Sequence, residues 1–251
     1  MKSVLTKTLL PLAGLLVAIF LWWLGCWFLA RNTPIAENLS PLKAFPVLFQ
    51  LLGDSLIWEH TVTSLKRVLV GLGFALAIGI PAGILTGVSW RFARATGPLF
   101  QFLRMISPLS WMPIAVMVLG VGDAPVYFLL AFAAVWPILL NTAAGVAQMD
   151  KNWLLLSRSL SATPWERLTR VILPAIAPHI LTGVRLAIGV IWIILVPAEM
   201  LGVSAGLGYF ILDTRDRLAY HELMATILLI GFLGFLLDYL ANRLRRIWIA
   251  N

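Results

Sequence analysis

Runs of about twenty apolar residues follow one another along this chain, and they leave few folds open to it. They occupy residues 9–30, 65–89, 98–119, 126–148, 178–202 and 222–241. A bilayer-crossing helix needs about 20 mostly apolar residues, so each run is long enough to span. Only 12% of residues are charged and 61% are hydrophobic; a soluble domain carries roughly a quarter charged residues. A membrane β-barrel would show short alternating segments, and none is visible. The expected fold is an all-α polytopic membrane protein with six transmembrane helices.

Lys2 and Lys7 precede the first run. A secretory signal would have an apolar region of about 7–15 residues; this one is longer, so it reads as an uncleaved first span. Residues 31–63 are more polar and hold a surface helix at 44–56. Three regions follow: 1–63 with the first span and an external segment, 64–241 as the core with five spans and a platform at 150–177, and 242–251 as a basic tail. Lys2, Lys7, Arg91, Arg94, Lys151, Arg158, Arg167, Arg170, Arg243, Arg245 and Arg246 fall on one side. Arg31, Lys43, Lys66, Arg67, Arg215 and Arg217 fall on the other. The side richer in Lys and Arg faces the cytoplasm, which places both termini and the platform there.

The platform carries charge amid apolar surroundings, yet it reads as ordered helix. Asp150 can cap a helix running through Trp153 and Leu154. Thr163-Pro164-Trp165-Glu166 has the form of a capping box with proline at the first helical position. Two capped helices held in water between two spans suggest a surface for touching something.

The second span places Gly71, Ala75, Gly79, Gly83 and Gly87 on one row, where a neighbouring helix can approach closely. Pro81, Pro108, Pro113, Pro137 and Pro197 lie within spans, and each removes a backbone bond. Irregular backbone at membrane depth is tolerated where protein or a wet cavity covers it. The stretch from Ser107 to Pro113 is therefore either a pathway lining or a packed kink. Arg104, Ser107, Ser110, Trp111, Asn141 and Glu199 are the pathway candidates. Arg185 and Glu199 share a helix face but stand about 21 Å apart at 1.5 Å per residue, too far to pair. Arg185 reads as a cation near the inner surface.

No Gly-rich loop followed by Gly-Lys-Ser/Thr is present, so the chain carries no P-loop for nucleotide. No paired-His metal helix or Gly-x-Ser-x-Gly elbow occurs. Cys26 is the single cysteine, which leaves no intrachain disulfide, and the three histidines make no metal spacing. The net charge of +8 flanks apolar spans and reads as topology rather than nucleic-acid binding. Work against a gradient needs an ion or a partner as its energy source.

Five segments together resemble the transmembrane permease subunits of binding-protein-dependent ABC importers, of the nitrate, sulfonate and taurine class. They are Ser64 to Gly71, Arg104 to Pro113, Trp136 to Thr142, the platform, and Ala198 to Gly202 continuing through Gly206 to Tyr209. The likeness covers about 63–240. The family's cytoplasmic signature runs Glu-Ala-Ala, then Gly, then an apolar stretch ending Leu-Pro. The matching residues here are Leu155, Leu156, Ser157, Arg158, Ser159, Leu160, Ser161, Ala162 and Thr163, followed by Val171-Ile172-Leu173-Pro174. Leu155 stands where Glu is usual, Leu156 and Ser157 where the two Ala are usual, and Ser161 where Gly is usual.

The resemblance implies a type I-like importer fold in a bacterial inner membrane, with the platform as a coupling helix docking on an ATPase. It implies two permease subunits, as a homodimer or a similar pair, and two cytoplasmic ATPases. ATP and Mg²⁺ would sit in those partners and no cofactor in this chain. A periplasmic or lipid-anchored binding protein would deliver a small solute, such as nitrate, a sulfonate or bicarbonate. A different class of reading is an ion-coupled secondary transporter or channel without an ATPase, which would show inverted repeats with paired broken helices. A membrane-embedded enzyme would need acid, base or metal groups clustered at one depth, and the polar residues here are dispersed.

Overall fold

A computed structural model describes residues 2–250, with side chains for 9–150, 152–157 and 159–246. The elements in order are α1 (Lys2–Ala30), a short α2 (Ile35–Asn38), α3 (Pro41–Leu52), α4 (Ser55–Val88), α5 (Trp90–Met105), a 3₁₀ turn (Pro108–Trp111), α6 (Met112–Leu119) and α7 (Asp123–Gln148). There follow α8 (Lys151–Ser159), α9 (Pro164–Glu166), a π-helical segment (Arg167–Ile172), α10 (Leu173–Glu199), α11 (Leu207–Asp216) and α12 (Tyr220–Ala250). Among the described residues, five helices are long and apolar enough to cross a membrane.

The third expected span is bent rather than straight, and counted as one span the bent pair brings the number to six. Residues 98–119 do not form one straight helix; α5 and the Pro108–Leu119 pair are bent by 88° at the break between them. Ile106 (ψ 127°) and Ser107 (ψ 128°) are both extended. Pro108 disfavours the helical region for the residue before it, so the helix stops there and restarts at Pro108. α4 begins ten residues before the expected span, at Ser55, because the Asp54 carboxylate accepts the Leu56 N–H at 3.0 Å. The surface helix starts earlier than expected, with Pro41 at its first position, and closes at Gly53.

The residues fall into two compact units. One comprises Met1–Thr61 and Phe210–Phe232. In it the Trp22 indole N–H donates to the Leu39 carbonyl (3.1 Å), and Lys43 pairs with Glu37 (2.8 Å). The other comprises Val62–Tyr209 and Leu233–Asn251. Its core lies where α4, α7 and α10 meet, with Ala75, Leu129, Leu130, Ile138, Ala187, Ile191 and Leu195 buried together.

The small-residue row does pack a neighbour. A Cβ on Gly71 would meet Leu130, on Gly79 Ile138, on Gly83 Thr142 and on Gly87 Val146. The pairing advances in step on both helices, so α4 and α7 run parallel. Ala75 is fully buried in the same seam. α10 crosses α7 antiparallel, with Gly145 against His179 and Gly183 against Pro137 and Asn141. Gly83→Val is expected to lower stability by about 1–3 kcal/mol, the usual cost of overpacking. Its Cβ would stand 2.6 Å from Thr142 Cβ and 2.7 Å from the Leu139 carbonyl. Gly73 faces open space, so Gly73→Ala should melt at or above wild type, since alanine favours helix over glycine. Thermal unfolding in detergent compares the two.

Candidate functional site

Glu199, a pathway candidate from sequence, is fully buried at the C-terminal end of α10. Its carboxylate accepts the Arg67 Nη1–H (2.7 Å), the Ser64 hydroxyl (2.8 Å) and the Gly208 backbone N–H (2.9 Å). Ser64 Oγ in turn accepts the Leu207 N–H at 2.8 Å. Arg67 also donates through Nη2 and Nε to Asp123 (2.6 and 3.0 Å) and through Nη1 to the Ala205 carbonyl (2.6 Å). The cluster binds α4, the start of α7, the end of α10 and the first turn of α11. Its anion meets the free N–H groups of that helix start, where negative charge is favoured. Gly206 makes the turn at φ +114°, and a Cβ there would lie 2.5 Å from both Arg67 and the Glu199 carboxylate.

Sequence reasoning placed Arg67 among the water-facing cations and gave Ser64 no role. No local signal marked either residue, because Thr63 and Lys66 beside them make the whole stretch polar. Arg185, half-buried on α10, forms a two-pronged pair with Asp238 (2.9 Å on each arm) and reaches Asn242 at 3.4 Å. That fastens α12 to α10, and Gly234 lies under the Trp192 indole along the same seam.

The remaining pathway candidates sit on or beside the α5–α6 bend. Arg104 is exposed in the last turn of α5. Ser107 and Ser110 are exposed, and Trp111 packs on Phe132 with ring centres 5.7 Å apart. Asn141, on α7, turns its amide back on its own helix and donates to the Pro137 carbonyl at 2.8 Å. Arg104, Ser107, Ser110 and Trp111 thus flank the bend, while Glu199 belongs to a separate buried cluster.

The platform is built as its local sequence implies. Asp150 accepts the Asn152 N–H (2.9 Å) at the start of α8. Thr163 and Glu166 form the capping box, with the Glu166 N–H donating to Thr163 Oγ1 (3.2 Å) and the Thr163 N–H to Glu166 Oε2 (2.9 Å). Between the helices the Ala162 N–H donates to the Ser157 carbonyl (3.0 Å), and Ser161 has φ +55°. This is a Schellman closure with the left-handed residue at its usual place, which explains why glycine suits this position. Ser161→Gly should stabilise the elbow by about 1 kcal/mol, since the left-handed region costs an L-residue roughly 1–2 kcal/mol. Slower amide exchange across 155–163 is the readout.

Ser157 is buried and donates to the Leu154 carbonyl (2.9 Å). Leu154 packs with Val146, Ile172 and Ile176. On the open side, Trp153, Leu155, Leu156, Leu160 and Trp165 are all more than half exposed. Ser159 faces outward and bonds the Leu155 carbonyl (3.1 Å). The side chain of Arg158 lies outside the described residues. A rigid elbow carrying two tryptophans and three leucines in the open is a protein-docking surface in its chemistry.

Residues 79–248 match the model of the family described as "Binding-protein-dependent transport system inner membrane component". The bicarbonate transport system permease protein CmpB of Synechococcus elongatus is 38% identical, over 100% of this chain and 92% of that protein. The nitrate import permease protein NrtB of Synechocystis is 33% identical, over 92% and 86%. The taurine transport system permease protein TauC of Escherichia coli is 31% identical, over 94% and 87%. A chain in the inward-facing structure of the MetNI methionine ABC transporter shares the fold, with TM-score 0.63 over 81% of this chain and 98% of that one at 18% identity.

Proposed function

This chain belongs to the family of inner membrane components of binding-protein-dependent transport systems, and from that premise we propose how it works. It is a multi-pass permease subunit of an ABC importer; ATP is hydrolysed by a separate subunit. Two copies of the chain form the translocation pathway between them. The elbow at 150–177 faces the cytoplasm with both termini and docks through Leu155, Leu156, Leu160 and Trp165 on one of two ATPases. Those ATPases hold the ATP and Mg²⁺. A binding protein delivers the solute to the opposite side, where the Glu199 cluster braces the helix ends.

The exposed apolar face of the elbow carries this reading. It is fixed by caps at both ends, which would be unnecessary for a loose linker, and its leucines and tryptophans gain nothing from water. The bend at Pro108 and the side chains around it line the route. Closure of the ATPases pulls the elbows together, and the helices packed against them rock.

The solute is a small anion, in keeping with the bicarbonate and nitrate named for two relatives. Uptake of nitrate, bicarbonate and taurine into vesicles holding the complete importer tests this. Movement of nitrate or bicarbonate in preference to taurine supports the anion reading; transport of a neutral solute alone overturns it.

A further inference from the structure

We propose that the crevice between α1 and the α2–α3 segment holds one phospholipid with a primary-amine headgroup, drawn from the leaflet that meets the C-terminal end of α1. Two cavities adjoin there, both within the unit that contains α1. The deeper one, about 600 Å³, lies between Leu16, Phe20 and Trp23 of α1 and Leu42 and Phe45 of α3. The other, about 200 Å³, is bounded by Trp23, Trp27, Ala30, Glu37, Leu42 and Lys43. Trp23 and Leu42 are walls of both.

The crevice has the dimensions of one leaflet. Its α1 wall steps by three and four, from Leu16 through Phe20, Trp23 and Trp27 to Ala30, which is one helix face. That face is about 21 Å long at 1.5 Å per residue, close to half of the roughly 40–45 Å of a bilayer with its headgroups. The α1 span ends at Ala30, so the smaller cavity stands at the rim and the larger in the hydrocarbon. Trp23 and Trp27 fall where tryptophan gathers in membrane proteins, at headgroup level.

Polarity follows depth. The wall of the deeper cavity carries no charge and suits acyl chains. At the rim Lys43 Nζ donates to Glu37 Oε1 (2.8 Å) and to Asn38 Oδ1 (3.1 Å). An ammonium has three donors, so one remains for a phosphate oxygen. Lys43 also lowers the Glu37 pKa, first through its hydrogen bond, which keeps the carboxylate charged at neutral pH. Glu37 is exposed, and a carboxylate offers about four acceptor positions, enough for a second ammonium. The Arg31 guanidinium lies 4.1 Å from the centre of the Trp27 ring, so a second positive charge stands beside this cavity. Cations next to a carboxylate complement a phosphate with an ammonium two carbons away. The carboxylate disfavours a headgroup that is only anionic.

The test counts lipids on the full chain. Protein purified in detergent and stripped of lipid is titrated with dioleoyl phosphatidylethanolamine, dioleoyl phosphatidylglycerol or dioleoylglycerol, and native mass spectrometry reads occupancy. Wild type should hold one phosphatidylethanolamine per chain, at least tenfold tighter than dioleoylglycerol and several-fold tighter than phosphatidylglycerol. Glu37→Gln should erase the preference between the two phospholipids. Leu42→Trp fills the crevice from a position that is 72% exposed and should weaken binding of all three at least tenfold. Neither substitution removes a core contact, so lipid-free melting should match wild type. Phosphatidylglycerol bound as tightly as phosphatidylethanolamine, or undiminished binding in Leu42→Trp, overturns the proposal. Retention of no lipid by wild type overturns it as well, and a dimer split by Leu42→Trp would then give the crevice to a second copy.

Discussion

Arg67→Met should unfold the junction of α4, α7, α10 and α11 at a temperature well below wild type, with a loss of about 3–5 kcal/mol. That is the usual penalty for breaking a buried pair and leaving its partner charged and alone. Arg67 is 3% exposed and Glu199 fully buried, so water cannot replace the lost partner. Glu199→Leu should be as damaging, because it strands the guanidinium. The double variant Arg67→Met/Glu199→Leu should recover much of the loss, since a buried pair replaced by apolar groups of similar volume is often neutral. Asp123 is 44% exposed and can be solvated once Arg67 is gone. Melting of the three variants in detergent decides: equal melting of both singles with wild type would remove the bracing role. So would a double variant no better than its worse parent.

Leu160→Asp should abolish co-purification of the ATPase while the chain still inserts in the membrane. Leu160 is 73% exposed and sits at the corner of the elbow, so the substitution disturbs no core contact. A carboxylate placed in an apolar contact must be desolvated without a partner, and buried interface anchors commonly cost more than 2 kcal/mol when lost. Leu156→Asp, on the same face at 55% exposure, should act the same way. Ser159→Ala removes only a bond to the Leu155 carbonyl and should leave binding nearly intact. Retention of the ATPase at wild-type level by both aspartate variants would move the docking surface elsewhere.

The elbow was legible in the sequence because every device that shapes it is local. A capping box, a proline at the first turn and an aspartate cap act within four residues, and all three recur in the structure. Ser161 was legible too, since its place in the signature is one that glycine usually fills, and its φ is positive. The spacing of Gly71, Ala75, Gly79, Gly83 and Gly87 announced a close neighbour, though not that the neighbour would be α7.

The Arg67 cluster was not legible, because its carboxylates come from Asp123 and Glu199, far along the chain. No periodicity links those positions; only the parallel packing of α4 on α7 and the return of α10 bring them together. Counting Lys and Arg for topology then assigned Arg67 to water, although its side chain is spent on buried pairs. The bend at Pro108 was underestimated for a related reason. Proline inside a span is compatible with a mild kink or a full break, and the sequence carries no term that separates them. The extended Ile106–Ser107 pair makes it a break.

Reconstitution of the chain in sealed vesicles, with and without its ATPase, measures the energy source directly. With binding protein, ATPase and ATP, nitrate or bicarbonate should accumulate. With the ATPase omitted and a proton or sodium gradient imposed, accumulation should be absent. Gradient-driven accumulation by the chain alone would show that it needs no motor and that the elbow does not transmit work.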